Sequence, residues 1–137
     1  MSDPMSDPMN DPVDRVAAQS WLDRYVAAWK SYDRDDITAL FAPDVSYRYH
    51  PGDEPIFGVE AVVASWLDDE PDQPGTYDAS YSPYAVDGDR VVATGTSVYQ
   101  DHPGGPVTRI FDNCFLMRFD ASGRCTEFTE LYVERPA

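Results

Sequence analysis

Residues 107–134 read VTRIFDNCFLMRFDASGRCTEFTELYVE, two runs rich in Val, Thr, Phe and Tyr on either side of Asp120-Ala121-Ser122-Gly123. Branched and aromatic side chains crowd the turns of a helix but fit the pleat of a strand, and a Gly-bearing connection between two such runs is the pattern of an antiparallel hairpin. The same alphabet extends upstream. Segments 76–86 and 90–101 are joined by Asp87-Gly88-Asp89 and followed by His102-Pro103-Gly104-Gly105-Pro106, so four consecutive antiparallel strands are predicted at 76–86, 90–101, 107–119 and 124–134.

The first half of the chain has a longer period. Asp11 is placed to cap a helix with Pro12 at its first position and Asp14 in its first turn. Val13, Ala17, Trp21, Tyr25, Ala28 and Tyr32, extended by Trp29, then recur at helical spacing against polar Asp14, Gln19, Asp23 and Lys30. Asp33 caps a short second helix carrying Ile37, Leu40 and Phe41, predicted to stop before Pro43. Val45, Tyr47 and Tyr49 alternate with Ser46, Arg48 and His50 in a first strand closed by Pro51-Gly52. Gly58 opens a third helix with Val59, Val62, Val63, Trp66 and Leu67 on its apolar face, ahead of the acidic run Asp68 to Glu70 and Pro71. The predicted fold class is α+β, with three N-terminal helices packed on a strongly curved, mostly antiparallel sheet and a pocket between them. This domain takes residues 13–137. Residues 1–12, MSDPMSDPMNDP, repeat a four-residue unit and read as a disordered, acidic, low-complexity tail.

Composition removes many functions. A chain of 137 residues fits one domain, which buries roughly two-thirds of its unfolded surface without staples. A formal charge of −15 repels phosphate backbones and anionic headgroups, so neither nucleic acid nor membrane is an expected partner. No signal-peptide pattern or long apolar run is present, and a cytoplasmic location is expected. Cys114 and Cys125 are expected to stay reduced, and with His50 and His102 the only histidines no metal site is expected. Nucleotide-binding and serine-hydrolase motifs are absent, so no cofactor is expected.

The last hairpin carries the candidate chemistry, and its alignment decides which polar groups face inward. A four-residue loop pairs Phe119 with Arg124; Asn113 then faces Glu130, with Phe111 opposite Tyr132, Phe115 opposite Phe128, and Met117 opposite Thr126. A three-residue loop with a glycine bulge instead sets Asn113 against Leu131 and Glu130 against Cys114 on the other face. Cys114 and Cys125 oppose each other in neither. A carboxylate in an apolar wall loses hydration of its charged form, which raises its pKa toward a value useful for proton transfer. Glu130 is thus the candidate acid–base group. Asn113 is the candidate for holding a substrate oxygen, and Tyr49 and Tyr25 can donate to developing negative charge. Trp29, Phe41, Tyr47, Trp66, Phe111, Phe115, Phe128 and Tyr132 are the expected ligand-binding surface.

Phe41-Ala42-Pro43-Asp44-Val45, Gly58-Val59-Glu60 and Met117-Arg118-Phe119-Asp120 through Gly123-Arg124 give the chain, over about residues 13–135, a resemblance to the nuclear transport factor 2-like superfamily, also called SnoaL-like or ketosteroid-isomerase-like. The resemblance implies a cone of helices over a bent sheet, a homodimer through the sheet, and an apolar cavity used by isomerases, cyclases, dehydratases, epoxide hydrolases and non-catalytic binders. Tyr25 matches the first-helix tyrosine of ketosteroid isomerases, whose two acid positions hold Tyr49 and Phe115 here. Glu127-Phe128-Thr129-Glu130 resembles the last-strand E-H-W-D of SnoaL-type cyclases, with Glu130 on the acid–base aspartate. Tyr32-Asp33, Tyr49 and Asn113 resemble part of the scytalone dehydratase set. The expected function is a cofactor-free acid–base enzyme of cyclase, isomerase or dehydratase type acting on a small apolar oxygenated molecule. The alternative is a non-catalytic binding or dimerisation module of the same fold.

Overall fold

The computed structural model of the protein describes residues 13–68 and 72–136. The predicted tail at 1–12, with Asp11 and Pro12, lies outside them, as do Asp69, Glu70 and Pro71. The first helix, α1 (Arg15–Ser31), is capped by Asp14, whose carboxylate accepts the Ala17 N–H at 2.7 Å. Asp14 is therefore the cap itself, and not a first-turn residue behind an Asp11 cap, because its extended backbone lets the side chain reach a free N–H of the first turn. Ala18, Trp21, Leu22, Tyr25 and Ala28 form the buried face, while Ala17 turns out to solvent. Arg15 Nη1 on the Pro83 carbonyl (2.6 Å) and Gln19 Nε2 on the Tyr81 carbonyl (2.9 Å) hold this helix along the third strand.

Asp33 caps α2 (Arg34–Thr38) by accepting from the N–H groups of Asp35 and Asp36. The helix ends earlier than predicted, and Phe41 opens a strand, β1 (Phe41–Arg48). Pro43 is tolerated there because pairing lapses between Phe41 and Ser46, so no ladder donor is required of it. A two-residue strand that the sequence did not announce, β2 (Ile56–Phe57), pairs with the end of β1. Gly58, at φ 89°, then starts α3 (Val59–Asp68). The four long strands follow closely as predicted: β3 (Tyr77–Asp87), β4 (Arg90–Gln100), β5 (Val107–Phe119) and β6 (Cys125–Glu134). Their sheet order is β2-β1-β6-β5-β4-β3, antiparallel except where β1 meets β6.

Gly95 lets β3 and β4 approach. A Cβ there would overlap the Ser80 carbonyl oxygen and the Tyr81 side chain, so only glycine leaves room for Tyr81 to cross the inner face of the sheet.

The final hairpin follows neither predicted alignment along its length. Asp120 N–H bonds the Arg124 carbonyl (2.9 Å), Gly123 takes φ 85°, and Phe119 stands opposite Cys125, as the second alternative required. The register then shifts between Arg118 and Phe119, leaving Thr126 as an extra residue in β6, and Arg118 pairs with Glu127. From there Met117 faces Phe128, Phe115 faces Glu130, Asn113 faces Tyr132, and Phe111 faces Glu134. Asn113 and Glu130 are not partners. They do share a face, since a slip of two residues preserves the pleat.

Between helices and sheet lies an aromatic core centred on Tyr25, with ring centroids of Trp21, Trp66 and Phe115 within 5.5 Å and that of Phe128 at 5.7 Å. Tyr47 stacks on Phe128 at 4.7 Å. Cys125 is buried and Cys114 partly so, and both are free thiols.

Candidate functional site

Beside this core is a cavity of about 340 Å³. Helix α1 contributes Tyr25, Trp29 and its cap residue Tyr32; β1 contributes Tyr47, with Tyr49 just beyond; α3 contributes Trp66. Asp72 comes from the loop before β3, Tyr81 from β3, Ser97 and Tyr99 from β4, and Glu130 from β6. The wall is amphipathic, built of phenols, indoles and two carboxylates, where the sequence suggested a mostly apolar one. A second hollow of about 230 Å³ adjoins it, sharing Ser97, Tyr99 and Glu130 and adding Arg109, Phe111, Asn113 and Tyr132. A further hollow at the far end of α1, about 470 Å³, is lined by Arg24, Arg124 and turn residues and contains no carboxylate.

Glu130 is only half-exposed at most and accepts no hydrogen bond from any described residue. Loss of hydration without a compensating donor pushes its carboxyl from 4.5 up to about 7. Near neutral pH both protonation states are therefore populated, which is the condition for donating and accepting a proton in one cycle. The phenols around it move the other way from reactivity. Burial raises Tyr25 and Tyr47 well above 10 and Tyr81 likewise, with Glu130 adding to each, so all three remain neutral donors. Tyr99 rises to about 12 through burial, then through the charges of Asp72 and Glu130. The indole N–H of Trp66 is buried with no acceptor in hydrogen-bonding geometry among the described residues.

The predicted site residues divide into three groups. Tyr25, Tyr49, Glu130, Trp29, Tyr47 and Trp66 come together around the 340 Å³ aromatic cavity. Asn113, Phe111 and Tyr132 lie in the adjoining hollow, where Asn113 donates to Ser97 Oγ at 3.1 Å and to the Phe111 carbonyl at 3.4 Å and makes no hydrogen bond to Glu130, which lines the same hollow. Phe41, Phe115 and Phe128 are 1% exposed or less and pack inside the core, so they support the wall from behind and do not line it. Tyr49 shares a 2.7 Å hydrogen bond with Ser65. Sequence reasoning missed Asp72, Tyr81, Ser97 and Tyr99. Inward alternation in β3 and β4 was the available signal for the last three; Asp72, in a loop, carried none.

Among the described residues, no group of three or more His, Cys, Asp and Glu is arranged to hold a metal ion, and no helix is long and apolar enough to cross a membrane. No curated protein matches the chain. Solved structures do resemble it. A candidate ketosteroid isomerase from Kribbella flavida shares 15% identity, with a TM-score of 0.63 over 90% of this chain and 83% of that one. An LEH-like epoxide hydrolase from M. tuberculosis shares 18%, with a TM-score of 0.61 over 87% and 84%. An NTF2-like protein of unknown function from Burkholderia pseudomallei shares 18%, with a TM-score of 0.64 over 85% and 91%. At such identities the likeness establishes the fold, a nuclear-transport-factor-2-like cone of helices over an open, bent sheet. Residues 22–128 match the SnoaL-like domain family, more than half the sequence, and the chain therefore belongs to the SnoaL-like family.

Proposed function

We propose that the protein is a cofactor-free acid–base enzyme in which Glu130 moves a proton on a small oxygenated molecule held in the aromatic cavity. The observation that carries this is a cavity-lining carboxylate with no donor of its own, poised to titrate near pH 7. Glu130 as carboxylate removes a proton from the carbon next to a carbonyl. The oxygen that becomes enolate accepts hydrogen bonds from neutral phenols such as Tyr25, and Glu130 returns the proton at the same or a conjugated carbon. Asn113 has a secondary place, holding a polar end of the molecule in the adjoining hollow.

The test uses 2-tetralone in deuterated water, with deuterium incorporation followed by NMR. Catalysed exchange is expected, and Glu130→Gln should slow it about 10² to 10⁴-fold. Exchange unaffected by that substitution removes Glu130 from the chemistry; a wild-type protein that binds the ketone without exchanging it favours the binding-module reading. We also propose a homodimer through the open sheet face, where Leu116 and Leu131 are 45% and 36% exposed on strands whose other face is the core. Sedimentation equilibrium tests it, with Leu131→Glu expected to yield monomer.

A further inference from the structure

We propose that one side of the cavity receives an organic ammonium group, so that the molecule presented to Glu130 carries a protonated or quaternary amine. This deepens the functional reading, whose cavity it shares, and rests on a different part of the wall.

The lining contains two carboxylates, Asp72 and Glu130, and no Lys, Arg or His. In a chain of net charge −15 the lining itself holds no cation to offset them, and Arg109 in the adjoining hollow is already paired with Glu134 at 3.0 Å, so an anion is disfavoured and a cation drawn in. Trp29, Tyr32, Asp72 and Tyr99 are all half-buried and contiguous. Trp29 and Tyr99 meet edge-on at 64° with centroids 6.1 Å apart, forming an aromatic corner. Tyr77 packs on Trp29 at 4.6 Å and donates to its carbonyl oxygen at 3.0 Å, fixing that corner from outside. Asp72 closes it. Its Oδ2 accepts from Trp29 Nε1 (3.2 Å) and from the Tyr32 hydroxyl (3.3 Å), and its N–H donates to the Tyr32 oxygen (3.2 Å).

Those bonds hold the carboxylate rigid while occupying one oxygen. Asp72 Oδ1 accepts nothing from the described residues and is the position a ligand donor or cationic methyl would meet. Aromatic rings meeting beside a fixed carboxylate are the surroundings in which a desolvated ammonium is stabilised, by ring quadrupoles and by the opposite charge together. A neutral apolar group in the same corner gains the dispersion but leaves that oxygen stripped of water with no partner.

The full-length protein is titrated, by tryptophan fluorescence and calorimetry, with (3-hydroxyphenyl)trimethylammonium, its neutral isostere 3-tert-butylphenol, benzylammonium and benzoate. The quaternary cation is expected to bind about tenfold tighter than its isostere, with benzoate weakest. Asp72→Asn should remove most of that preference. Benzylammonium binding more tightly than the quaternary probe assigns a protonated amine that donates to Asp72, and the reverse order assigns a quaternary one; either supports the proposal. Equal or tighter binding of 3-tert-butylphenol by the wild type overturns it, as does an unchanged preference in Asp72→Asn or binding of none of the probes. If Asp72→Asn does not fold, the wild-type comparison still decides. Binding is read without turnover, so an ammonium preference without deuterium exchange defeats only the Glu130 chemistry, and exchange without the preference defeats only this inference.

Discussion

Replacing Glu130 by Gln should make the protein's stability less sensitive to pH, and the direction follows from the site. In the folded chain the carboxyl titrates at about 7; unfolded, it returns to about 4.5. Between those values the native state holds a proton that the unfolded state has lost, so stability falls as pH rises from 4.5 through 7 and the loss is complete above. At about 1.4 kcal/mol per pH unit, the native state gives up about 2 to 3 kcal/mol between pH 5 and pH 8 on account of this one group. Gln carries no charge to desolvate. Its own unpaired amide contributes a cost that does not change with pH, so the difference between wild type and Glu130→Gln isolates the ionisation. Urea unfolding of both proteins at pH 5, 6, 7 and 8 gives that difference directly. The variant should gain about 2 to 3 kcal/mol on the wild type across the series, with the steepest change near pH 6. A difference flat to within about 0.5 kcal/mol would mean that Glu130 is as well hydrated in the folded chain as in the unfolded one, and the acid–base argument would lose its basis.

Gly95→Ala should destabilise the protein by about 1 to 3 kcal/mol in urea unfolding, because the added methyl displaces β3 at Ser80 and Tyr81; wild-type stability in that variant refutes the close approach. Tyr25, Tyr47 and Tyr81, all raised by burial, should ionise only as the chain unfolds, so stability is lost above about pH 10 and part of the phenolate absorbance appears together with the loss of circular dichroism. A phenolate titration completed on folded protein contradicts this. Deleting Thr126, the extra residue of the β6 bulge, should leave every pair from Arg118–Glu127 onward in place and keep the Glu130 midpoint near 7 by carboxyl NMR. A midpoint that drops to about 4.5 would show that the bulge, beyond its count, shapes the site.

The four long strands were legible because branched and aromatic residues at period two leave few alternatives, and Gly at 88, 104, 105 and 123 punctuates them. The junction of α2 and β1 was not. Leu40 and Phe41 are apolar in either state, and the choice was made by tertiary pairing, with the Leu40 carbonyl accepting the Cys125 N–H at 3.0 Å. Local sequence has no access to that partner. The same limit applies to the cavity. Nine tyrosines occur in the chain, and which of them line a hollow depends on how far β3 and β4 curl over the helices. Tyr81 and Tyr99 reach the cavity because Gly95 permits the approach, whereas Tyr84 is left 74% exposed on the same strand as Tyr81. Asp72 is placed by a loop and held by Trp29 and Tyr32, residues 40 or more positions away, so nothing in its neighbourhood marks it.

Glu130 reached the inner face by a route that alternation alone does not describe. The turn at Asp120–Arg124 offsets the hairpin by one residue from the alignment that would have set Asn113 against Glu130, and a single offset, continued, sends every later side chain of β6 to the opposite face. Thr126 supplies the second offset, and its hydroxyl bonds the Arg118 carbonyl at 3.2 Å where the ladder is interrupted. Cys125 and Phe128, three apart, are consequently both buried, which a regular strand forbids. Burial of the pair is thermodynamically the stronger demand, since two large or fully buried side chains returned to water outweigh one displaced backbone bond. The position of the carboxylate is thus fixed by its hydrophobic neighbours: Phe128 must enter the core, and Glu130, two residues on, follows it to the same side and arrives where no donor is waiting.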